Sequence, residues 1–338
     1  METGNWQLGT GRRLVATGDS NRPPGQLVSV GTHHLYISCQ GTGAPAVVFD
    51  AALGASSVSW SLVQPTVARL TRACTYDRAG MGWSNGGPLP RTAGRMSAEL
   101  HTLLQTAAVP PPYVLVGHSF GGFVMRIFAA TYPVETAGLV LVDPAHPEHW
   151  LTPSERERHE IDRGVRLCGY GVIAARLGLA RLVAALVGVG ALAPARALVK
   201  AISRGRLRRE DEFVLAPIWK LPPDARRPLR RFWTQPKFFE ALGSQIGSVC
   251  ESAREVQETV GGGYGDLPLV TISSSNPDPV RARRQEDLAR LSSRGRHIVA
   301  SDSGHWIPLD QPQIVIDTIA DMIRSIGCGR ASGFIPGV

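Results

Sequence analysis

The sequence predicts an α/β fold: a mostly parallel eight-stranded sheet with helices on both faces and a helical cap inserted late in the sheet. Three observations carry this. Short, continuous apolar runs recur along the chain, of the kind shown by strands buried on both faces. Helical stretches separate most of them, and alternation of the two element types argues for a parallel sheet. The alternation then stops between Val142 and Leu267, an interval of roughly 120 residues without a convincing buried strand.

In chain order, residues 1–25 are polar, end in Pro23-Pro24-Gly25 and read as a loose arm. Leu27-Val28-Ser29-Val30, a turn at Gly31 and His34-Leu35-Tyr36-Ile37-Ser38 alternate as a β-hairpin does. Buried strands follow at Ala46–Phe49, Ala73–Tyr76, Val114–Val116, Leu139–Val142, Leu269–Ile272 and His297–Val299. Helices are expected at Ala93 to Ala107, Gly121 to Thr131 and Pro312 to Ile326. Residues 26–144 and 264–327 then form the core, 145–263 the cap, with a hinge at Gly261-Gly262-Gly263, and 328–338 a tail. Within the cap, Gly171 to Val199 is rich in Leu, Val, Ile and Ala, but Arg176, Arg181 and Arg196 make a membrane span improbable. Packing inside the cap is the preferred reading. A core helix pair of a second domain, or a lid whose apolar face meets lipid or greasy substrate, are the others.

Of the 338 residues, 43% are hydrophobic and 19% charged, which excludes a disordered chain. The five cysteines (Cys39, Cys74, Cys168, Cys250, Cys328) are odd in number and widely spaced without C-x-x-C, so neither a disulfide framework nor a zinc site is expected and a reducing cytoplasm fits. The N-terminus lacks the order of a secretory signal and no run of 18 uncharged apolar residues occurs, so a soluble protein without stable membrane insertion is expected. The net charge is +8, and most of the excess lies between Ala145 and Gly262, where 19 Lys and Arg face 13 Asp and Glu. Its densest cluster is Arg204, Arg206, Arg208 and Arg209. Glu210-Asp211-Glu212 follow at once without interleaved aromatics, so no nucleic-acid partner is expected and a solvated face is the simpler reading.

The chemistry concentrates in Gly117-His118-Ser119-Phe120-Gly121, between the strand Tyr113–Val116 and the helix-like Gly122–Ala130. A serine held between glycines at a sharp strand-to-helix turn is exposed as a nucleophile. With Asp77-Arg78-Ala79-Gly80-Met81-Gly82-Trp83-Ser84 before it and Ser303-Gly304-His305-Trp306 near the end, the chain resembles the α/β-hydrolase fold superfamily from about Gln26 to Ile326. It is most similar to bacterial serine hydrolases that carry this Asp-Arg-Ala-Gly-x-Gly-x-Ser loop.

The residue chemistry and the resemblance together select the candidates. Ser119 needs a base. His305 is that base: it follows the strand-like Ile298-Val299-Ala300, where the resemblance implies the catalytic histidine. His118 is expected to point away from Ser119 and take no proton. Two carboxylates compete to orient the imidazole. Asp278, after the seventh strand, is at the usual location of the superfamily; Asp143, after the sixth, is where some relatives place their acid, or it caps its Asp-Pro loop. Asp302 stands third. The oxyanion donors are the backbone N–H of Phe120 and, by register, of Ala52, in a loop lacking the His-Gly common in relatives. Asp77 and Arg78 shape the pocket or, as the favoured reading, pair with each other to fix their turn. Trp60, Trp83 and Trp306 are candidate pocket walls at the carboxyl ends of the strands. No metal or cofactor is expected, since His146-x-x-His149 offers only two ligands.

The expected activity is cofactor-independent, carboxylesterase- or lipase-like hydrolysis of a small-molecule ester-like bond through an acyl-enzyme on Ser119. An acyltransferase, thioesterase, carbon–carbon hydrolase or cofactor-free haloperoxidase would use the same residues. A non-catalytic small-molecule-binding member of the fold is the alternative of a different class.

Overall fold

Strands buried on both faces must alternate their side chains between two cores, and those of this chain do so. In the computed structural model, which describes residues 24–189, 191–205, 220–275 and 278–331, eight strands form one sheet. They are β1 (Gln26–Ser29), β2 (His34–Gln40), β3 (Ala46–Asp50), β4 (Ala73–Asp77), β5 (Tyr113–His118), β6 (Thr136–Val142), β7 (Leu269–Ser274) and β8 (Gly295–Ala300). Their order is β1-β2-β4-β3-β5-β6-β7-β8; β1, β2 and β4 pair antiparallel, and the remainder run parallel.

The longer helices of the described residues are α1 (Ala93–Thr106), α2 (Gly121–Thr131), α3 (Glu155–Arg176), α4 (Leu179–Gly188), α5 (Leu192–Ile202), α6 (Pro223–Phe232), α7 (Pro236–Gly247), α8 (Val249–Val260), α9 (Pro279–Ala289) and α10 (Pro312–Ala331). Val48, Leu115, Leu139 and Leu141 face α1, α2 and α9 through Leu100, Leu104, Phe128 and Leu288. Val47, Phe49, Val116, Val140 and Ile272 face α10 through Val315, Ile319 and Met322. The last helix runs on to Ala331, past the boundary at 328 expected for the tail. Residues 1–23, Arg206, Arg208, Arg209 and the acidic Glu210-Asp211-Glu212 lie outside the described residues.

Two expectations need correction. Cys39 and Cys74 form a disulfide, where the spacing suggested none. Strands β2 and β4 are neighbours in the sheet although β3 lies between them in sequence, and their register sets Cys39 opposite Cys74. Disulfides persist in oxidising compartments, so cysteine usage no longer argues for a reducing one. The stretch expected to close the cap at Gly261–Gly263 also packs differently from that expectation. Helix α8 buries Val249, Ala253, Val256 and Val260 against Phe120, Phe123 and Ile127 of the elbow and α2, and so belongs to the core. Its apolar residues repeat at helical spacing, which says that one face is buried but not against what.

Candidate active site

Parallel strands end together, and the sheet register here lines up the candidate residues at the carboxyl edge. Asp50 stands opposite Gly117, His118 opposite Val142, and Val142 opposite Ile272, so the loops after β3, β5, β6 and β7 open side by side.

Ser119 occupies the turn between β5 and α2 with φ 54, a left-handed conformation costly for a residue with a Cβ. Its neighbours enforce that turn: the Ser119 N–H donates to Val142 C=O (3.0 Å), and the Ala145 N–H donates to Ser119 C=O (3.1 Å). A Cβ on Gly121 would meet the carbonyl oxygens of Asp50 and Ala51 at 2.7 Å, and one on Gly117 would meet Gly121 C=O at 2.7 Å. Both glycines are therefore required by close backbone approach.

His305 comes in from the loop after β8, and His118 holds it there. The His118 ring is buried at 0% exposure, and its Nε2–H donates to the His305 C=O at 2.7 Å. Burial, then the neighbouring His305, pushes the His118 pKa down to about 3, so the ring stays neutral and keeps that donor. His118 packs edge-on to Trp60 and Trp306.

The carboxylate on His305 is that of Asp143: Nδ1 donates to Oδ2 at 2.5 Å. Asp143 is fully buried with φ 38, held at the end of β6 by its N–H donating to Ile272 C=O (2.6 Å). Its other partners are the Ser274 N–H and hydroxyl, both 3.1 Å, and the Arg281 guanidinium at 2.6 Å. Burial alone would raise its pKa, but the His305 hydrogen bond and charge, with Arg281 and Ser274, outweigh burial and hold the carboxyl below its ordinary value. Asp278, the favoured acid on sequence grounds, caps α9 instead, with Oδ1 accepting the Val280 N–H at 3.0 Å. A helix starting with Pro279 needs such a cap, and Asp-Pro supplies it. Arg281 and Ser274 were missed altogether; nothing in an arginine one turn into a helix signals a partner 138 residues away.

Ala52 and Phe120, the expected oxyanion donors, are both 3% exposed, and neither amide donates to an acceptor among the described residues. Arg78 holds the loop that carries Ala52. Its Nη2 donates to the carbonyls of Ala51 (2.7 Å) and Ala52 (2.5 Å), its Nε lies 3.3 Å from Asp50 Oδ1, and its guanidinium sits 5.4 Å from the centre of the Phe120 ring. In a trans peptide the C=O and the following N–H point oppositely, so gripping Ala51 C=O turns the Ala52 N–H away from Arg78. The expected Asp77–Arg78 pair is thereby corrected. Asp77 instead accepts the N–H groups of Ser57 (2.7 Å) and Trp83 (2.9 Å), fixing its own loop.

The three tryptophans part company. Trp306 lines a narrow apolar cavity with Leu53, Leu221, Leu229 and Trp233. Trp83 sits between Tyr36 and Phe232, 4.7 Å from each ring centre. Trp60 is a core residue against Phe49, not a pocket wall. Trp233, at the end of α6, is the lining aromatic that the sequence did not single out. Among the described residues no group of three or more His, Cys, Asp or Glu side chains is placed to hold a metal.

A family model described as the alpha/beta hydrolase family matches residues 47–318. An uncharacterized protein of Bacillus subtilis, YqjL, is 37% identical over 106 residues, 31% of this chain and 42% of YqjL, so the match spans less than half of that relative. An AB hydrolase superfamily protein of Gibberella zeae is 22% identical over 298 residues, 83% of this chain and 87% of that one. A thermophilic esterase from Thermogutta terrifontis superposes with a TM-score of 0.61 at 19% identity, covering 89% of this chain and 98% of the esterase, a likeness of fold.

Proposed function

Because the chain belongs to the alpha/beta hydrolase family, we propose that it is a cofactor-independent serine hydrolase that cleaves a carboxylic-ester-like bond through an acyl-enzyme on Ser119. One observation carries the reading. A serine in the left-handed conformation at the strand-to-helix turn follows His118, whose ring holds the backbone carbonyl of His305, and the Nδ1 of His305 lies 2.5 Å from the buried carboxylate of Asp143.

In this reading Ser119 Oγ attacks the substrate carbonyl carbon while its proton passes to His305 Nε2. The carbonyl oxygen gains the negative charge and rests against the N–H groups of Phe120 and Ala52. Collapse of the tetrahedral intermediate breaks the bond to the leaving oxygen, which takes the proton from His305. Water then attacks the acyl carbon, giving one proton to His305 Nε2; the acid leaves, and that proton returns to Ser119 Oγ. Asp143 keeps Nδ1 protonated and stabilises the imidazolium without itself taking the proton. A serine at this position also argues against the epoxide and halide chemistries, whose enzymes in this superfamily use aspartate there.

The test is labelling with a fluorophosphonate probe alongside hydrolysis of p-nitrophenyl esters. Native protein is expected to label on Ser119 and to hydrolyse at least one ester, and Ser119→Ala to do neither. A folded native protein that resists the probe and leaves every ester intact overturns the reading in favour of a ligand-binding member.

A further inference from the structure

Helix α4 reads Leu-Ala-Arg-Leu-Val-Ala-Ala-Leu-Val-Gly, yet none of its residues from Leu179 to Val187 is buried. An apolar helix whose residues are at most half-buried leaves part of the desolvation that its sequence offers unused. The exposed apolar surface extends into its neighbours. Helix α3 turns into α4 through an 88° bend at Gly178, whose φ of 78 opens the corner. Leu177 projects from that corner at 70% exposure, with Ile173 one turn earlier at 57%, Leu182 one turn later at 50%, and Val189 at the far end at 81%.

Basic residues border this surface. On α3, Arg166, Ile173 and Leu177 fall on one helical face, and Arg176 and Arg181 flank the corner; all three arginines are exposed. Arg176 also reaches Glu240 (2.8 Å), and Asp162 is the exposed acid of the same stretch of α3. Arginines beside an apolar tip can bury their stems and keep their heads at the level of lipid phosphates. The same charges oppose self-association, because a second copy docked corner to corner would bring these arginines together. No single helix of the described residues is long and apolar enough to cross a membrane; α3 and α4 pass that test only together, across their 88° bend, and the arginines at the bend favour the surface of a bilayer over its interior.

We propose that the α3–α4 corner docks on an anionic lipid surface, with Ile173, Leu177, Leu182 and Val189 entering the interface and Arg166, Arg176 and Arg181 engaging lipid phosphates. Helix α4 touches α6, whose Leu229 lines the cavity beside Trp306, so docking sets that cavity next to the bilayer. The docking stands apart from the identity of the bond that is cut.

The test is cosedimentation of the full chain with vesicles of phosphatidylcholine alone and with added phosphatidylserine. Each is run at low and raised salt, beside hydrolysis of a water-soluble ester and a mass measurement in solution. Native protein is expected to pellet with the anionic vesicles, more weakly as salt rises. Leu177→Glu with Leu182→Glu is expected to abolish pelleting, and Arg166→Glu with Arg181→Glu to weaken it by about tenfold or more, with soluble-ester hydrolysis and circular dichroism unchanged in both. Absence of pelleting by native protein, or pelleting that neither double variant alters, overturns the proposal. So does a native dimer that becomes a monomer in Leu177→Glu/Leu182→Glu, which would assign the corner to a second copy. Soluble-ester activity reports separately on the catalytic reading.

Discussion

The floor of the candidate site and the helices expected to cap it are built by opposite rules. At the floor, strained or buried groups are held by several partners at once: Ser119 by backbone bonds to Val142 and Ala145, Asp143 by four donors, and the Ala52 loop by two Arg78 bonds and the Asp50 pair. In α4, no residue from Leu179 to Val187 is fully buried. One of the cap's ties to the floor is the Lys237 Nζ of α7, which donates to the carbonyls of Gly82 (3.2 Å) and Ser84 (2.5 Å). The contrast teaches where precision is needed. Unfavourable backbone conformations persist only where surroundings over-determine them, and preorganised donors act only if they do not move. Under the proposed function, a cap that admits substrate and releases product gains from loose packing.

The comparison can be broken most decisively at Asp143. If the floor acts as a unit, Asp143→Asn is expected to lower kcat by roughly 10⁴ with the melting temperature near native, since the wrong imidazole tautomer then faces Ser119. Asp278→Asn keeps a capping side chain and is expected to leave turnover within about twofold and stability within about 0.5 kcal/mol. Steady-state kinetics and thermal melts of both decide it. The reverse pattern would give the role to Asp278.

A second, smaller effect separates two tasks of Arg78. Replacing it by Met leaves buried Asp50 without its cation and is expected to destabilise the fold by about 3–5 kcal/mol. Burial already pushes the Asp50 carboxyl above its ordinary range, with Arg78 the largest opposing influence. Adding Asp50→Asn removes the buried charge and is expected to recover much of that stability. It does not restore the grip on Ala51 and Ala52, so kcat is expected to remain about 10²–10³ below native, the usual cost of one oxyanion donor. Full recovery of kcat in the double variant would show that the arginine only neutralises Asp50.

These two cases also mark what the sequence could disclose. The strands were legible because burial on both faces writes itself as continuous apolar runs, and the elbow because tight backbone demands glycine at 117 and 121. The carboxylate was ambiguous because Asp143 and Asp278 both follow strands, and only the β6–β7 register and the direction of each side chain separate them. The Arg78–Asp50 pair and the Cys39–Cys74 bridge were hidden for a related reason. The bridge links β2 and β4, adjacent in the sheet but not successive in the chain, and the Arg78–Asp50 pair joins the ends of β3 and β4 across a long connection, whereas sequence reading pairs neighbours such as Asp77 and Arg78. Helix α8 shows the same limit at larger scale, since periodicity reveals a buried face but not its partner.

His118 sharpens the contrast through pH. Its folded pKa of about 3 lies below the ordinary 6.5, so between these values the unfolded chain binds a proton that the folded one refuses. Its contribution is therefore intact above about pH 6.5 and is lost progressively as pH falls toward about 3. By pH 5 the loss from this group is about 2 kcal/mol. Half-buried His146, whose pKa desolvation lowers to about 4, adds in the same direction. The depressed carboxyl of Asp143 contributes only at lower pH, where it too loses stability on acidification. Urea unfolding at pH 7 and pH 5 is expected to show a native decrease that His118→Asn reduces by about 2 kcal/mol. An equal decrease in the variant would mean that the imidazole is not kept neutral by burial.

The smallest effect tests the cap side directly. Core positions under the elbow lose both transfer energy and packing when truncated, so Phe123→Ala, at 0% exposure, is expected to cost about 3–5 kcal/mol. In α4, Val187→Ser removes a side chain that folding never fully withdrew from water, and the change is expected to stay within about 0.5 kcal/mol. Amide hydrogen exchange provides the matching dynamic readout: α4 amides should exchange by local opening well below the global unfolding free energy, and those of β5 and β6 only near it. If Val187→Ser destabilises as Phe123→Ala does, or if α4 and β5 are equally protected, then α4 is packed as firmly as the floor. The opposition between a fixed site and a yielding cap would then fail.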